Sequence, residues 1–331
     1  MLRPTAPATA AMFAALTLLP GAARAAEAPA KPLELAEGDR VVMLGNTLIE
    51  RDIAHNHLET LLTARFADRN VTFRNLGWSG DTVFGHARAG FGTVADGFKA
   101  LAKQLEETKP TVLIVGYGLN ESFDGPAALP AFSAGLERLL DLPAAKAVKA
   151  DRVVLLSPTR MENLGKPRPD PAVRNKVIRQ YADAVRDVAA KRGHRFVDLF
   201  EAVPETPAAA DARSTDNGLH LTARGYREVA VRTAAAAFGV EADKARAAVD
   251  AGSGDYEELR RVIGEKNELF FHRWRPQNET YLFGFRKHEQ GRNAAEIPQF
   301  DPFIAEKEKE IAKLRTPVAR RYQLSPAGAG K

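Results

Sequence analysis

The stretch Val41-Val42-Met43-Leu44-Gly45-Asn46-Thr47-Leu48-Ile49 decides how this chain is read. Four consecutive apolar residues ending in glycine suit a strand buried on both faces of a parallel sheet. Gly45 permits a tight turn directly after that strand. Thr47 then places a hydroxyl where such a turn would present a nucleophile, and Asn46 is read as structural support for the turn.

Working outward, Leu58, Leu61, Leu62 and Phe66 share one helical face, so a helix is expected over residues 52–66. Val71-Thr72-Phe73, Thr111-Val112-Leu113-Ile114-Val115, Val153-Val154-Leu155-Leu156 and Arg195-Phe196-Val197-Asp198-Leu199 read as further strands. Helices are expected near 98–105, 132–140 and 171–190, and over 222–238 with Thr222 as the cap. Strands alternating with helices at this spacing imply βαβ units and a parallel sheet covered on both faces, a three-layer α/β/α domain. Ligands of such sheets bind outside the carboxyl ends of the strands. The loops starting at Gly45, Arg74 and Gly116 should therefore share one crevice.

The composition narrows the function. The 331 residues are 45% hydrophobic, enough for a sizeable core, and contain no cysteine. Disulfides, cysteine chemistry and the commonest structural zinc sites are excluded. Residues 1–25 carry Arg3, an apolar run over 11–19 and the small-x-small site Ala23-Arg24-Ala25, the pattern of an export signal. That run is far shorter than the ~20 residues of a membrane span. Loss of Arg3 and Arg24, with no acidic residue, would take the net charge from +5 to +3. The basic residues are mixed with acids and form no block suited to nucleic acid. A flexible leader is expected over 26–37, the main domain over 38–240 and a helical extension over 241–331. In that extension, 260–269 should be helical, a charged helix should run from Asp301-Pro302 to about Leu314, and the tail after Thr316 should be loose.

Four stretches carry chemistry: Gly45-Asn46-Thr47, Asn75-Leu76-Gly77-Trp78-Ser79-Gly80-Asp81-Thr82, Gly118-Leu119-Asn120-Glu121 and Asn217-Gly218-Leu219-His220. Ester hydrolysis needs a nucleophile on a turn, an imidazole to take its proton, and donors aimed where negative charge develops. In this order the four stretches resemble the SGNH (GDSL-type) hydrolase superfamily over roughly residues 38–238. The resemblance implies a flavodoxin-like sheet of about five parallel strands and hydrolysis of lipid esters, thioesters or acylated sugars. It further implies Thr47 at the nucleophile, the Gly80 N–H and the Asn120 side chain as oxyanion donors, and His220 as general base. No cofactor or metal is called for, and no histidine–carboxylate grouping has metal spacing.

Three positions depart from the family pattern, one of them Asn46, which replaces an aspartate and is read as a structural change. Thr47 replaces serine, and its extra methyl stiffens χ1 and crowds the line of attack. Asn217 replaces the aspartate behind the histidine; it can accept a hydrogen bond from the imidazole but cannot stabilise imidazolium by charge. The neighbouring Asp216 could stand in after a small loop shift. Ser79 offers a second hydroxyl but is read as a turn residue, His55 and His57 as surface groups, and His86 as a candidate lining residue.

The segment from His272 through Trp274, Arg275, Tyr281, Phe283, Phe285 and Arg286 to Glu289 is dense in aromatics, arginines and amides. Two readings stay open for it: a lid that recognises sugar or carboxylate, or a strap that buries its aromatics for stability. The expected function is an exported ester hydrolase acting on a small polar or glycan ester. The alternatives are a non-catalytic binder of such a ligand and a lysophospholipase- or thioesterase-like hydrolase.

Overall fold

The computed structural model describes residues 31–325, so the expected export signal at 1–25 lies outside the described residues. Five strands, β1 (Arg40–Gly45), β2 (Thr72–Gly77), β3 (Val112–Gly116), β4 (Val153–Leu156) and β5 (Arg195–Val197), form one parallel sheet in the order β2-β1-β3-β4-β5. The order reverses at β1, so the crevice beside its carboxyl end is the topological switch point where such sheets take ligands. The register is informative: Gly45 lies opposite both Gly77 and Gly116. Three strands thus end at one level, and the three expected functional loops leave from it.

Side-chain alternation assigns the two layers. Val41 and Met43 belong to one core cluster while Val42 and Leu44 belong to the other, as the period of two along a strand requires. The first layer contains α2 (His57–Arg65), α7 (Ala223–Phe238), α8 (Ala242–Val249) and α9 (Asp255–Trp274), which contribute Leu61, Val231, Ala245 and Leu259. The second contains α3 (Val94–Thr108), α4 (Leu129–Leu140) and α6 (Ala172–Arg192), with Leu101, Leu136 and Val185. The connections include the short helices α1 (Thr47–Arg51) and α5 (Pro143–Lys146). The extension ends in α10 (Glu279–Leu282), α11 (Lys287–Gln290) and α12 (Phe300–Arg321). Among the described residues, no helix is long and apolar enough to cross a membrane. The fold is the three-layer, flavodoxin-like arrangement with a helical extension.

Several local expectations change. Leu33 and Leu35 fall in the expected flexible leader, yet both are buried, and the Leu33 N–H bonds the Ala237 carbonyl at 2.8 Å. The tail expected to loosen after Thr316 remains helical to Arg321, with Val318, Ala319 and Leu324 buried. Proline inside a helix costs ~3 kcal/mol, and Pro317 lies in α12. Burial of Val318 and Leu324, at about 1.5–3 kcal/mol each, offsets that cost. His57, expected at the surface, is buried with Nδ1 3.1 Å from the Tyr256 hydroxyl.

Candidate active site

The nucleophile turn is built by Asn46, which is buried and caps α1 by accepting the Leu48 N–H at 3.1 Å. Thr47 is therefore the first residue of a helix, half-buried, at the carboxyl end of β1. Residues three and four apart share a helix face, so Glu50 and Arg51 lie beside Thr47. Asn75 fixes the next strand to this helix, donating to the Ile49 carbonyl at 2.7 Å and accepting the Gly77 N–H at 2.8 Å. Gly77 is needed for this approach: a Cβ there would lie 2.1 Å from the Glu50 backbone nitrogen.

The following turn delivers Gly80 to Thr47. Gly80 has φ of +79°, a left-handed conformation natural to glycine. Its N–H donates to the Thr47 hydroxyl oxygen at 3.2 Å. Ser79 is tied to Glu50 instead: its N–H and its hydroxyl each donate to the Glu50 carboxylate at 2.8 Å. Asn120 enters from the loop after β3 and donates through Nδ2 to the Asp81 carbonyl at 2.7 Å. An amide nitrogen carries two hydrogens, so Asn120 still has a second to offer an incoming oxygen. Glu121, next in sequence, is buried and accepts the Val83 N–H at 2.8 Å and the Gly118 N–H at 2.9 Å. It joins the Gly80 and Asn120 loops across the crevice, and burial pushes its carboxyl up to about 7.

The histidine loop is pinned from behind by Glu162. This buried carboxylate accepts the Ser214 N–H at 3.0 Å and both the N–H and the hydroxyl of Thr215 at 2.7 Å. Asn217 and His220 are in contact, with Asn217 Nδ2 3.1 Å from His220 Nδ1. Asn217 Oδ1 is already claimed by the backbone N–H groups of Leu219 and His220, at 3.0 and 2.9 Å. Its NH2 must therefore face the ring, so it donates to Nδ1 and leaves the ring proton on Nε2. This corrects the expectation that Asn217 accepts from the imidazole. Asp216, the expected stand-in, is placed elsewhere: its carboxylate lies 3.6 Å from Arg51, and it does not hydrogen-bond the imidazole. Among the described residues no hydrogen bond joins Thr47 to His220.

Sequence reasoning gave no individual role to three members of this neighbourhood. Asp81 and Arg88 form a buried ion pair at 2.7 Å, and Asp81 also accepts the Tyr117 hydroxyl at 3.0 Å. Arg275, from the end of α9, bonds Glu50 at 2.5 Å and lies 3.8 Å over the Trp78 ring. The strap thus reaches the site through Arg275. Trp274 packs edge-on against Trp78 at 5.9 Å, while Phe283 and Phe285 remain exposed. His86 is exposed and contacts the Thr82 hydroxyl at 2.5 Å. Between α1, the histidine loop and α9 lies a cavity of about 820 Å³ lined by Arg51, Asp216, Arg260, Arg261, Glu268 and Phe271 among others.

Comparison with known proteins bears on the family and the fold. The model of the GDSL-like lipase/acylhydrolase family matches residues 45–228, more than half of the chain. No curated protein matches the sequence. A gut microbial diltiazem-metabolizing enzyme shares the fold with a TM-score of 0.52 at 13% identity, over 89% of this chain and 96% of its own. A mutant of an acetyl-xylooligosaccharide esterase from Geobacillus gives 0.47 at 19% identity, over 63% of this chain and 98% of its own. A lipase/acylhydrolase from Enterococcus faecalis gives 0.43 at 18% identity, over 58% and 91%. With the matched stretch beginning at Gly45, on the turn that carries Thr47, the chain belongs to the GDSL-like lipase/acylhydrolase family, a family of carboxylic ester hydrolases.

Proposed function

We propose that this chain is an exported esterase that removes small acyl groups from a polar carrier such as a carbohydrate. One observation carries the reading: the Thr47 hydroxyl and the Gly80 N–H lie 3.2 Å apart at the aligned strand ends, with Asn120 tied to the adjoining carbonyl. In the proposed reaction His220 first gives up its Nε2 proton and takes one at Nδ1 through water, releasing the Asn217 amide. Thr47 Oγ then attacks the ester carbonyl and its proton passes to the freed Nε2. The Thr47 and Gly80 N–H groups and the Asn120 amide hold the oxyanion; His220 returns the proton to the leaving alcohol. Water then hydrolyses the threonyl ester by the same route. Gly80 exchanges its bond to Thr47 for one to the oxyanion. Arg51, Asp216, Arg260, Arg261 and Glu268 in the adjoining cavity suit a hydroxyl-rich carrier better than a long acyl chain. Export is supported by the pattern over residues 1–25.

The Asn217 amide also favours a second reading. A ring protonated on Nε2 is a donor, so it can hold an ester oxygen without accepting the threonine proton. In that case the crevice binds an ester or glycan and does not cleave it. Hydrolysis of p-nitrophenyl acetate by the mature protein decides between them. Thr47→Ala and His220→Ala, each with a parent-like circular dichroism spectrum, should lose at least ~10²-fold in kcat. Activity undiminished in both variants removes the mechanism, and a parent with no turnover leaves binding as the function.

A further inference from the structure

Arg275 lies outside the stretch that matches the family, yet it bonds Glu50 of the short helix that begins at Thr47. It follows α9 directly and caps that helix, donating its N–H to the Phe271 carbonyl. Its guanidinium bonds Glu50 at 2.5 Å and covers the Trp78 ring at 3.8 Å. Glu50 in turn accepts both donors of Ser79. Every residue of the Trp78-Ser79-Gly80 turn is thus held: Trp78 under the guanidinium, Ser79 by Glu50, Gly80 by Thr47. We infer that Arg275 is a positioning residue for the proposed hydrolysis, a clasp through which the extension sets the turn carrying the Gly80 N–H.

The inference rests on the hydrolase reading and deepens it. A planar guanidinium can form a directed bond to a carboxylate while stacking on an indole, which an ammonium cannot do equally well. The carboxylate so fixed has its own lone pairs pointed at Ser79. Without Arg275, Glu50 keeps a negative charge with one partner fewer, and Trp78 loses the nearer of two guanidiniums over its ring, Arg88 remaining at 5.4 Å. Gly80 would then sample several orientations, and an oxyanion donor that must reorganise contributes less to the transition state. Because the donor acts on developing charge, kcat should suffer and KM should not.

The chain has two tryptophans, Trp78 and Trp274, and both sit at the clasp. Tryptophan emission therefore reads the clasp independently of turnover. The test compares the parent, Arg275→Ala and Arg275→Lys in acrylamide quenching and in p-nitrophenyl acetate hydrolysis. For Arg275→Ala, greater quenching is expected, with kcat lower by about 10- to 100-fold and KM within about twofold of the parent. Millimolar guanidinium should restore part of kcat and of the quenching protection, and Arg275→Lys should resemble Arg275→Ala. Unchanged quenching, or changed quenching with unchanged kcat, overturns the inference. So does a kcat loss that follows a fall in Tm and resists guanidinium, which marks a structural role. A parent with no turnover refutes the hydrolase reading instead, and the clasp is then judged on quenching and its guanidinium rescue alone.

Discussion

At the scale of single residues the site turns on the Asn217 amide. With Oδ1 held by two backbone N–H groups, the side chain has only donors to give His220. An aspartate in the same rotamer would keep both backbone bonds on one oxygen and accept the Nδ1 proton on the other, leaving Nε2 free to act as base. In a serine-protease triad the opposite change, aspartate to asparagine, lowers kcat by ~10⁴ through the wrong tautomer. Asn217→Asp is accordingly expected to raise kcat for p-nitrophenyl acetate by at least about tenfold with KM little changed. A kcat equal to or below the parent's would mean that His220 does not serve as the base. The sequence made the substitution visible, and with it the lost charge. It could not show which end of the amide faces the ring, because that depends on Leu219 and His220 turning their N–H groups back onto Asn217.

At the scale of elements, α9 is fixed by groups a helix seldom buries. Lys266 Nζ bonds the Glu59 carboxylate of α2 at 2.6 Å and the Phe73 carbonyl of β2 at 3.2 Å, and both charged side chains are almost wholly buried. Asn267 adds bonds of 2.7 Å to Glu59 and to Asn56. A buried pair is costly to desolvate but more costly to halve. Lys266→Met should therefore lose about 3–5 kcal/mol in urea unfolding, and the Glu59→Met, Lys266→Met double variant should recover most of it. A double variant no more stable than the single would show that the pair is not the main tie. The strands were legible because apolar runs in a parallel sheet have few other solutions, and α7 because Thr222 caps it in plain view. Lys266 was not, since a lysine on a helix reads as surface until another element brings a carboxylate to it. The same holds for Leu33, Leu35 and Val318, whose burial depends on contacts far away in sequence.

At the scale of the whole molecule, ionisable groups on both sides of the sheet set opposing responses to pH. Burial pushes Asp52 up to about 7, with Glu59 adding like charge, and pushes Glu121 up to about 7. Between about pH 4 and 7 the folded chain keeps protons on these groups that the unfolded chain has released. Stability from them is therefore present at acid pH and lost as pH rises through that window. His57 runs the other way: burial, then Arg260 and Arg227, bring it down to about 3. Its contribution is complete above its unfolded value of 6.5 and is lost as pH falls from there toward 3. Each effect is on the order of 3–5 kcal/mol, so two carboxyls against one imidazole leave a modest net decline in stability from about pH 5 to 7. Substitution should separate the parts. His57→Gln is expected to steepen that decline, because the opposing imidazole is gone, and Glu121→Gln to flatten it. Thermal unfolding followed by circular dichroism from pH 4.5 to 8 measures all three curves. If the His57→Gln and Glu121→Gln curves both run parallel to the parent's, these buried groups do not govern the pH response.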